Sequence, residues 1–509
     1  MTLFFTQLFV SERKQIVYPT QETLRDFLCG SSRYNRSEMR NIMVFSSVIF
    51  LYLYLPITLI VYFLTPARFR NIWLFVVNMI FYGWGEPVYI ILMLVSILLN
   101  YIMGIVVGKY REDKKKIAKR ALIINTILNV ALLVFFKYFD FIIESLNVIP
   151  VFSDLKPLGI SLPIGISFYT FQAMSYPIDV YRGETKYQKS FLKFGTYVAL
   201  FPQLIAGPIV RYTDVANSLE KRHIDAERVA KGIRRFMIGL SKKVLLANNI
   251  GQLWDVFNAM NMDEMTIAGA WLGAVAFTFQ IYFDFSGYSD MAIGLGEMLG
   301  FTFLENFNYP YISKSITEFW RRWHISLSSW FRDYVYIPLG GNRCGIKRQI
   351  INILIVWSIT GLWHGASWNF LLWGLYYGIL LMIEKLFLLK KLEKIPVVFT
   401  HMYTMFFVIG GWVIFAIEDM GRLLKYFQTM FGIKGTRAIS SEVLYYLRDY
   451  ALILIILIIA STPMGKFIYN KMNDKVKNIV VPVLIAVALV ICTGYLVDST
   501  YNPFLYFRF

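Results

Sequence analysis

Long apolar runs separated by short basic segments set the rhythm of this chain. The first four lie at about 44–64, 71–84, 87–108 and 121–139, three more at 236–250, 265–283 and 287–302, and four at 370–387, 396–416, 448–462 and 479–496. Most approach the ~20 apolar residues that carry a helix across a bilayer. The pattern predicts an all-α polytopic integral membrane protein with about eleven transmembrane helices plus re-entrant and interfacial pieces. It shows no internal repeat of the kind that transporters carry.

Two stretches break the rhythm. From 157 to 210 the apolar runs are cut by Pro157, Pro163, Pro177, Pro202, Gly207 and Pro208, and Gln203 lies within them. Broken helices at membrane depth are tolerated where they line a cavity or pack inside protein. Over 315–332, Phe319, Trp323, Leu327 and Trp330 share one helical face, while Arg321, Arg322, Ser328 and Arg332 interrupt the rest. That spacing predicts a single amphipathic helix lying in the interface, and it carries His324.

The basic residues give the chain a direction. Loop 109–120 holds Lys109, Arg111, Lys114, Lys115, Lys116, Lys119 and Arg120, so it belongs in the cytosol, as does loop 463–478 with its four lysines. The turn at Gly85 is then outside, and the C-terminal tail is extracytoplasmic. Residues 1–42 are polar, carry mixed charges and have no signal-peptide core. They read as an extension, with Met43 the expected natural start and 43–509 a single membrane domain.

Composition agrees with the pattern: 57% of residues are hydrophobic and 17% charged, against roughly 45–50% and 25% in soluble domains. The net charge of +18 does not point to nucleic acid, because the excess sits in inter-helix loops. Cys29, Cys344 and Cys492 are far apart, and the histidines lack companions at ligand spacing, so neither a disulfide framework nor a metal site is expected.

Chemistry concentrates in Gly361-Leu362-Trp363-His364-Gly365-Ala366-Ser367-Trp368-Asn369-Phe370, between apolar runs 349–360 and 370–383. This puts His364 at membrane depth, where an ionisable group defaults to a functional reading. Ser367 and Asn369 offer the alternative, a histidine hydrogen-bonded between helices. Trp363 and Trp368 shape an apolar pocket in which an imidazole can take the proton of a hydroxyl nucleophile. There is no GxSxG elbow, and Gly294, Gly296 and Gly300 lie inside an apolar span, so they read as helix-packing glycines rather than a phosphate loop. Asp284 and Asp290 place two carboxylates in an equally apolar context.

Phe319-Trp320-Arg321-Arg322-Trp323-His324-Ile325-Ser326-Leu327-Ser328 together with Gly361-Leu362-Trp363-His364-Gly365 resembles the membrane-bound O-acyltransferase (MBOAT) family. Tyr176-Pro177-Ile178-Asp179-Val180-Tyr181-Arg182, Phe201-Pro202-Gln203-Leu204-Ile205-Ala206-Gly207-Pro208 and Tyr334-Val335-Tyr336-Ile337-Pro338-Leu339-Gly340-Gly341-Asn342-Arg343 are similar to its alginate O-acetyltransferase branch. The resemblance implies a helical ring around a funnel or tunnel, in a bacterial plasma membrane. There a cytosolic donor, acetyl-CoA, meets the route to an external polysaccharide acceptor, with no bound cofactor. It places the catalytic base on His364, and on His324 a role in donor binding, carbonyl polarisation or a proton relay. Trp320, Trp323, Trp363, Trp368, Asn369 and Gln203 are the expected pocket or tunnel lining. The tail Phe504-Leu505-Tyr506-Phe507-Arg508-Phe509 resembles the branch's C-terminal aromatic motif, which implies Tyr506 as an acyl carrier. A phenol of pKa ~10 needs a base for that step. An extracytoplasmic SGNH/esterase-like partner is implied for the final transfer. Two rivals stand beside this reading: D-alanyl transfer to teichoic acid on the same fold, and a transporter or lipid flippase.

Overall fold

In the computed structural model, which describes residues 43–433, 435–498, 501–503 and 505, every regular element is helical. The elements that matter below are α1 (Phe50–Leu64), α2 (Arg70–Gly85), α3 (Tyr89–Tyr110), α4 (Lys115–Leu146) and α5 (Ile166–Arg182). They continue as α6 (Ala226–Ser241), α7 (Ile267–Met298), α8 (Ile316–Arg322), α9 (Ile325–Phe331) and α10 (Gly345–His364). The last three are α11 (Trp368–Leu392), α12 (Val397–Ala416) and α13 (Asp474–Asp498).

Among the described residues six helices are long and apolar enough to cross a bilayer, or seven if the bent pair Ser441–Asp449 and Ala451–Ala460 is one span; α1 is shorter. Leu64, Val88, Ile479 and Val490 all point outward and exposed. On a soluble protein such a surface would demand a partner; here the bilayer is that partner. The chain is a multi-pass membrane protein.

The expected count of eleven is not reproduced. The predicted spans 265–283 and 287–302 are one 32-residue helix, α7, opened by Thr266, whose hydroxyl accepts the Gly269 N–H. The polar stretch around Asp284 and Asp290 imitates a turn, yet its carboxylates are satisfied from the side. Asp290 pairs with Arg235 and Lys242 at 2.6 and 2.7 Å, and Asp284 with Lys243 at 2.7 Å. The predicted 236–250 span divides into the end of α6, a π-helical turn at Lys242–Ala247 and a helix at Asn248–Ala259. At 16 residues α2 is short of a full crossing.

Glycines let α6 and α7 touch backbone to backbone. A Cβ on Gly294 would meet the Gly232 carbonyl and the Phe236 nitrogen at 2.6 Å, and one on Gly239 would meet the Gly287 carbonyl at 2.5 Å. Gly294 therefore packs helices, as its position in the apolar run predicts. Gly294→Ala is expected to force the pair apart and to destabilise the fold by about 1–3 kcal/mol. The thermal unfolding midpoint in detergent measures this, with Gly465→Ala as the control, since a Cβ there meets nothing within 4 Å.

Residues 1–42 and Tyr506, on which two sequence expectations fall, lie outside the described residues.

Candidate active site

The predicted amphipathic helix over 315–332 is broken at its histidine. α8 ends at Arg322, Trp323 is extended, and His324 sits at φ 44°, ψ 54° as the residue before α9. Only Tyr309 shares a positive φ among the described non-glycine residues. A left-handed residue with a bulky side chain costs about 1–3 kcal/mol and persists only where its surroundings hold it. Asn306 does the holding. Its backbone carbonyl accepts the Ile325 N–H at 3.0 Å, and its Oδ1 accepts from the Ser326 N–H at 3.2 Å and the Ser326 hydroxyl at 2.9 Å.

The same Oδ1 lies 3.1 Å from His324 Nδ1. Because an amide oxygen only accepts, Nδ1 carries the proton and the neutral ring presents a lone pair at Nε2. Nε2 is buried with no protein partner among the described residues. His324 is thus set up to receive a proton or a hydrogen bond.

His364 is the last residue of α10. A helix C-terminus leaves carbonyls without intrahelical partners, and here α4 supplies them. Tyr138 donates to the Leu362 carbonyl at 2.7 Å, and Lys137 Nζ donates to the carbonyls of Trp363 and His364 at 2.5 and 3.3 Å. The imidazole is enclosed edge-on by Trp363 and Trp373, both at 5.0 Å between centroids, and by Phe415 at 5.3 Å. Glycines permit this density. A Cβ on Gly361 would strike the Phe370 carbonyl at 2.2 Å, and one on Gly365 the Phe370 ring at 2.1 Å.

Both histidines line one cavity of about 240 Å³, walled mainly by Trp320, Trp323, Leu327, Val356 and Trp357. Trp363 stands between the histidines, its ring 6.0 Å from His324 and 5.0 Å from His364. Arg321, Ser328 and Arg332 also border the cavity and are exposed, giving it a cationic rim. An apolar chamber with two imidazoles inside and positive charge at its lip suits a reaction on an anionic molecule's uncharged reactive end.

Of the residues expected from the sequence, Trp320 and Trp323 border the cavity. Trp368 does not: it is 55% exposed and packs on Phe141, because α11 turns that face away from α10. Asn369 spends its amide on the carbonyls of Ile414 and Phe415, at 3.2 and 3.1 Å, tying α11 to the end of α12. Gln203 is buried apart from the cavity, donating to the Tyr197 carbonyl at 2.6 Å.

Three positioning residues escaped the sequence reading: Lys137, Asn306 and Glu384. The Glu384 carboxylate accepts the Ile316 and Thr317 N–H groups at 2.7 and 2.8 Å, capping the helix that leads to His324. A lone lysine in Val134-Phe135-Phe136-Lys137-Tyr138-Phe139 was the one visible signal.

The model of the membrane-bound O-acyltransferase family matches residues 166–417, a range that contains both histidines. The chain is 43% identical over 392 residues to the probable alginate O-acetylase AlgI of Azotobacter vinelandii, covering 76% of this chain and 78% of the relative. It is 34% identical over 432 residues to the peptidoglycan O-acetyltransferase of Helicobacter pylori, covering 77% and 81%. To the teichoic acid D-alanyltransferase of Bacillus subtilis it is 30% identical over 275 residues, covering 50% and 68%.

Proposed function

This chain belongs to the membrane-bound O-acyltransferase family, and from that premise we propose that it moves acetyl groups from a cytosolic thioester donor to hydroxyls of a cell-envelope polysaccharide. It is an O-acyltransferase by membership. The alginate and peptidoglycan relatives, similar over most of the chain, support acetyl as the acyl group and an envelope polysaccharide as the acceptor.

The observation that carries the reading is the pair of buried imidazoles on a single aromatic cavity. A hydroxyl oxygen attacks the acetyl carbonyl while His364 takes its proton. The new C–O bond forms as the C–S bond breaks, and the departing thiolate recovers the proton from the imidazolium. His324, with an open acceptor at Nε2, serves a proton relay better than it serves as a donor to the carbonyl oxygen. The cavity is sized for the acyl end of acetyl-CoA rather than the whole molecule, and Arg321 and Arg332 at the rim complement its phosphates. Tyr506 is the first acceptor in this scheme, and an extracytoplasmic SGNH/esterase-like protein passes the acetyl group to the polymer.

The test is the ester content of cell envelopes from the native strain and a His364→Ala strain, released by base and with the acid identified. Acetate lost from the mutant at unchanged protein level supports the proposal. D-alanine lost instead transfers the assignment to teichoic acid acylation. No change in any ester overturns the envelope polysaccharide as acceptor and His364 as the base.

Asn306 offers a finer test. Asn306→Ala removes the side-chain oxygen that sets the His324 tautomer and accepts from Ser326, and is expected to lower acetyl transfer by about 10²-fold, the scale of a misplaced catalytic group. Asn306→Asp keeps an acceptor at that position and should retain clearly more activity in the same envelope assay.

A further inference from the structure

Lys243 and Asp284 form an ion pair at 2.7 Å with both side chains 3% exposed, away from the cavity. Asp284 lies near the middle of α7, and Lys243 on the turn that follows α6. Desolvating two charges at such depth is costly, and an apolar pair of similar volume is often as stable. The charges therefore call for a second use.

That use is the C-terminal segment. Asp284 Oδ2 accepts the Leu505 N–H at 3.0 Å, and Lys243 Nζ donates to the Pro503 carbonyl. Just upstream, Asn502 donates its amide to the Ser46 carbonyl at 2.8 Å and accepts from Asn248 Nδ2 at 3.2 Å. Leu505 is 3% exposed, in the same hydrophobic cluster as Trp373 and Phe415, two of the three rings that enclose His364. A segment whose residues 501–503 lie outside any helix is thus tied down inside the membrane domain by a salt bridge from two other elements.

We propose that the buried Lys243–Asp284 pair is a docking site for the chain's own C-terminal segment, holding it at Pro503 and at Leu505, the residue that precedes Tyr506 in sequence. Lys243 and Asp284 are then positioning residues for acyl transfer, a consequence that rests on the acyl-carrier reading of Tyr506. The docking itself does not.

The experiment is limited digestion of the purified full-length protein in detergent by carboxypeptidase Y, followed by intact mass. The native chain is expected to resist trimming past Leu505. Lys243→Met/Asp284→Leu, which replaces the pair by apolar residues, should be trimmed into residues 501–505 about tenfold faster or more, since cleavage follows the population of the released segment. Asn502→Ala, which alters only the segment itself, should move in the same direction even if the double variant folds poorly. Thermal midpoints serve as the fold control. Unchanged trimming in well-folded variants overturns the proposal. Trimming that rises while envelope acetylation stays at the native level leaves the docking site standing and overturns the carrier role of Tyr506; a matching fall in acetylation supports both.

Discussion

Acetyl transfer is expected to fall by about 10²–10⁴-fold in His364→Gln, the range that a positioned general base contributes. Glutamine is the sharper substitution. Alanine would also empty the space between Trp363, Trp373 and Phe415, and a void of that kind in an aromatic core costs about 3–5 kcal/mol. Glutamine fills much of that space and keeps hydrogen-bonding atoms but cannot accept a proton near neutral pH. The competing account makes His364 a polar link between helices. Asn369, its proposed neighbour in that account, bonds the carbonyls of Ile414 and Phe415 instead. Under the base reading, His364→Gln accumulates to the native level and has little acetyl ester in its envelopes. Under the linking reading, protein and ester decline together, and the activity per molecule of protein stays near native. Measuring both in one culture decides between them.

How far the site was readable from the sequence depends on where each residue's partner lies. His364 was visible because its signal is local: an imidazole flanked by tryptophan and glycine between two apolar runs. The pairing of His324 with it was legible as a motif, but the backbone at His324 was not. Helical periodicity over 315–332 has no means of marking one left-handed residue, which is stabilised here by Asn306, 18 positions upstream. The division of 265–302 into two spans has a related cause. Asp284 and Asp290 look like a turn until Lys243, Arg235 and Lys242 from the neighbouring helix are in place to satisfy them. Pattern reading sees that a charge lies in an apolar run; it does not see what answers the charge.

Lys137 is the strongest instance, and Lys137→Met is expected to lower acetyl transfer by about 10²-fold. Its amino group is buried at the end of α10 and donates to the carbonyls of Trp363 and His364, 226 and 227 positions away. Methionine matches its length and apolar stem but leaves both carbonyls without that donor, at about 1–3 kcal/mol for each buried group left unpaired. Water has little access there, so the last turn of α10 is expected to shift in order to satisfy them, and His364 is part of that turn. A displacement of about 1 Å at a catalytic group is enough for the predicted loss. Lys137→Arg supplies N–H donors but is too large and planar for a site built around a single amino group, so it should not restore activity. Activity per molecule of protein, set beside the thermal midpoint, checks the argument. A Lys137→Met protein as active per molecule as the native one would show that the end of α10 keeps its place without the lysine.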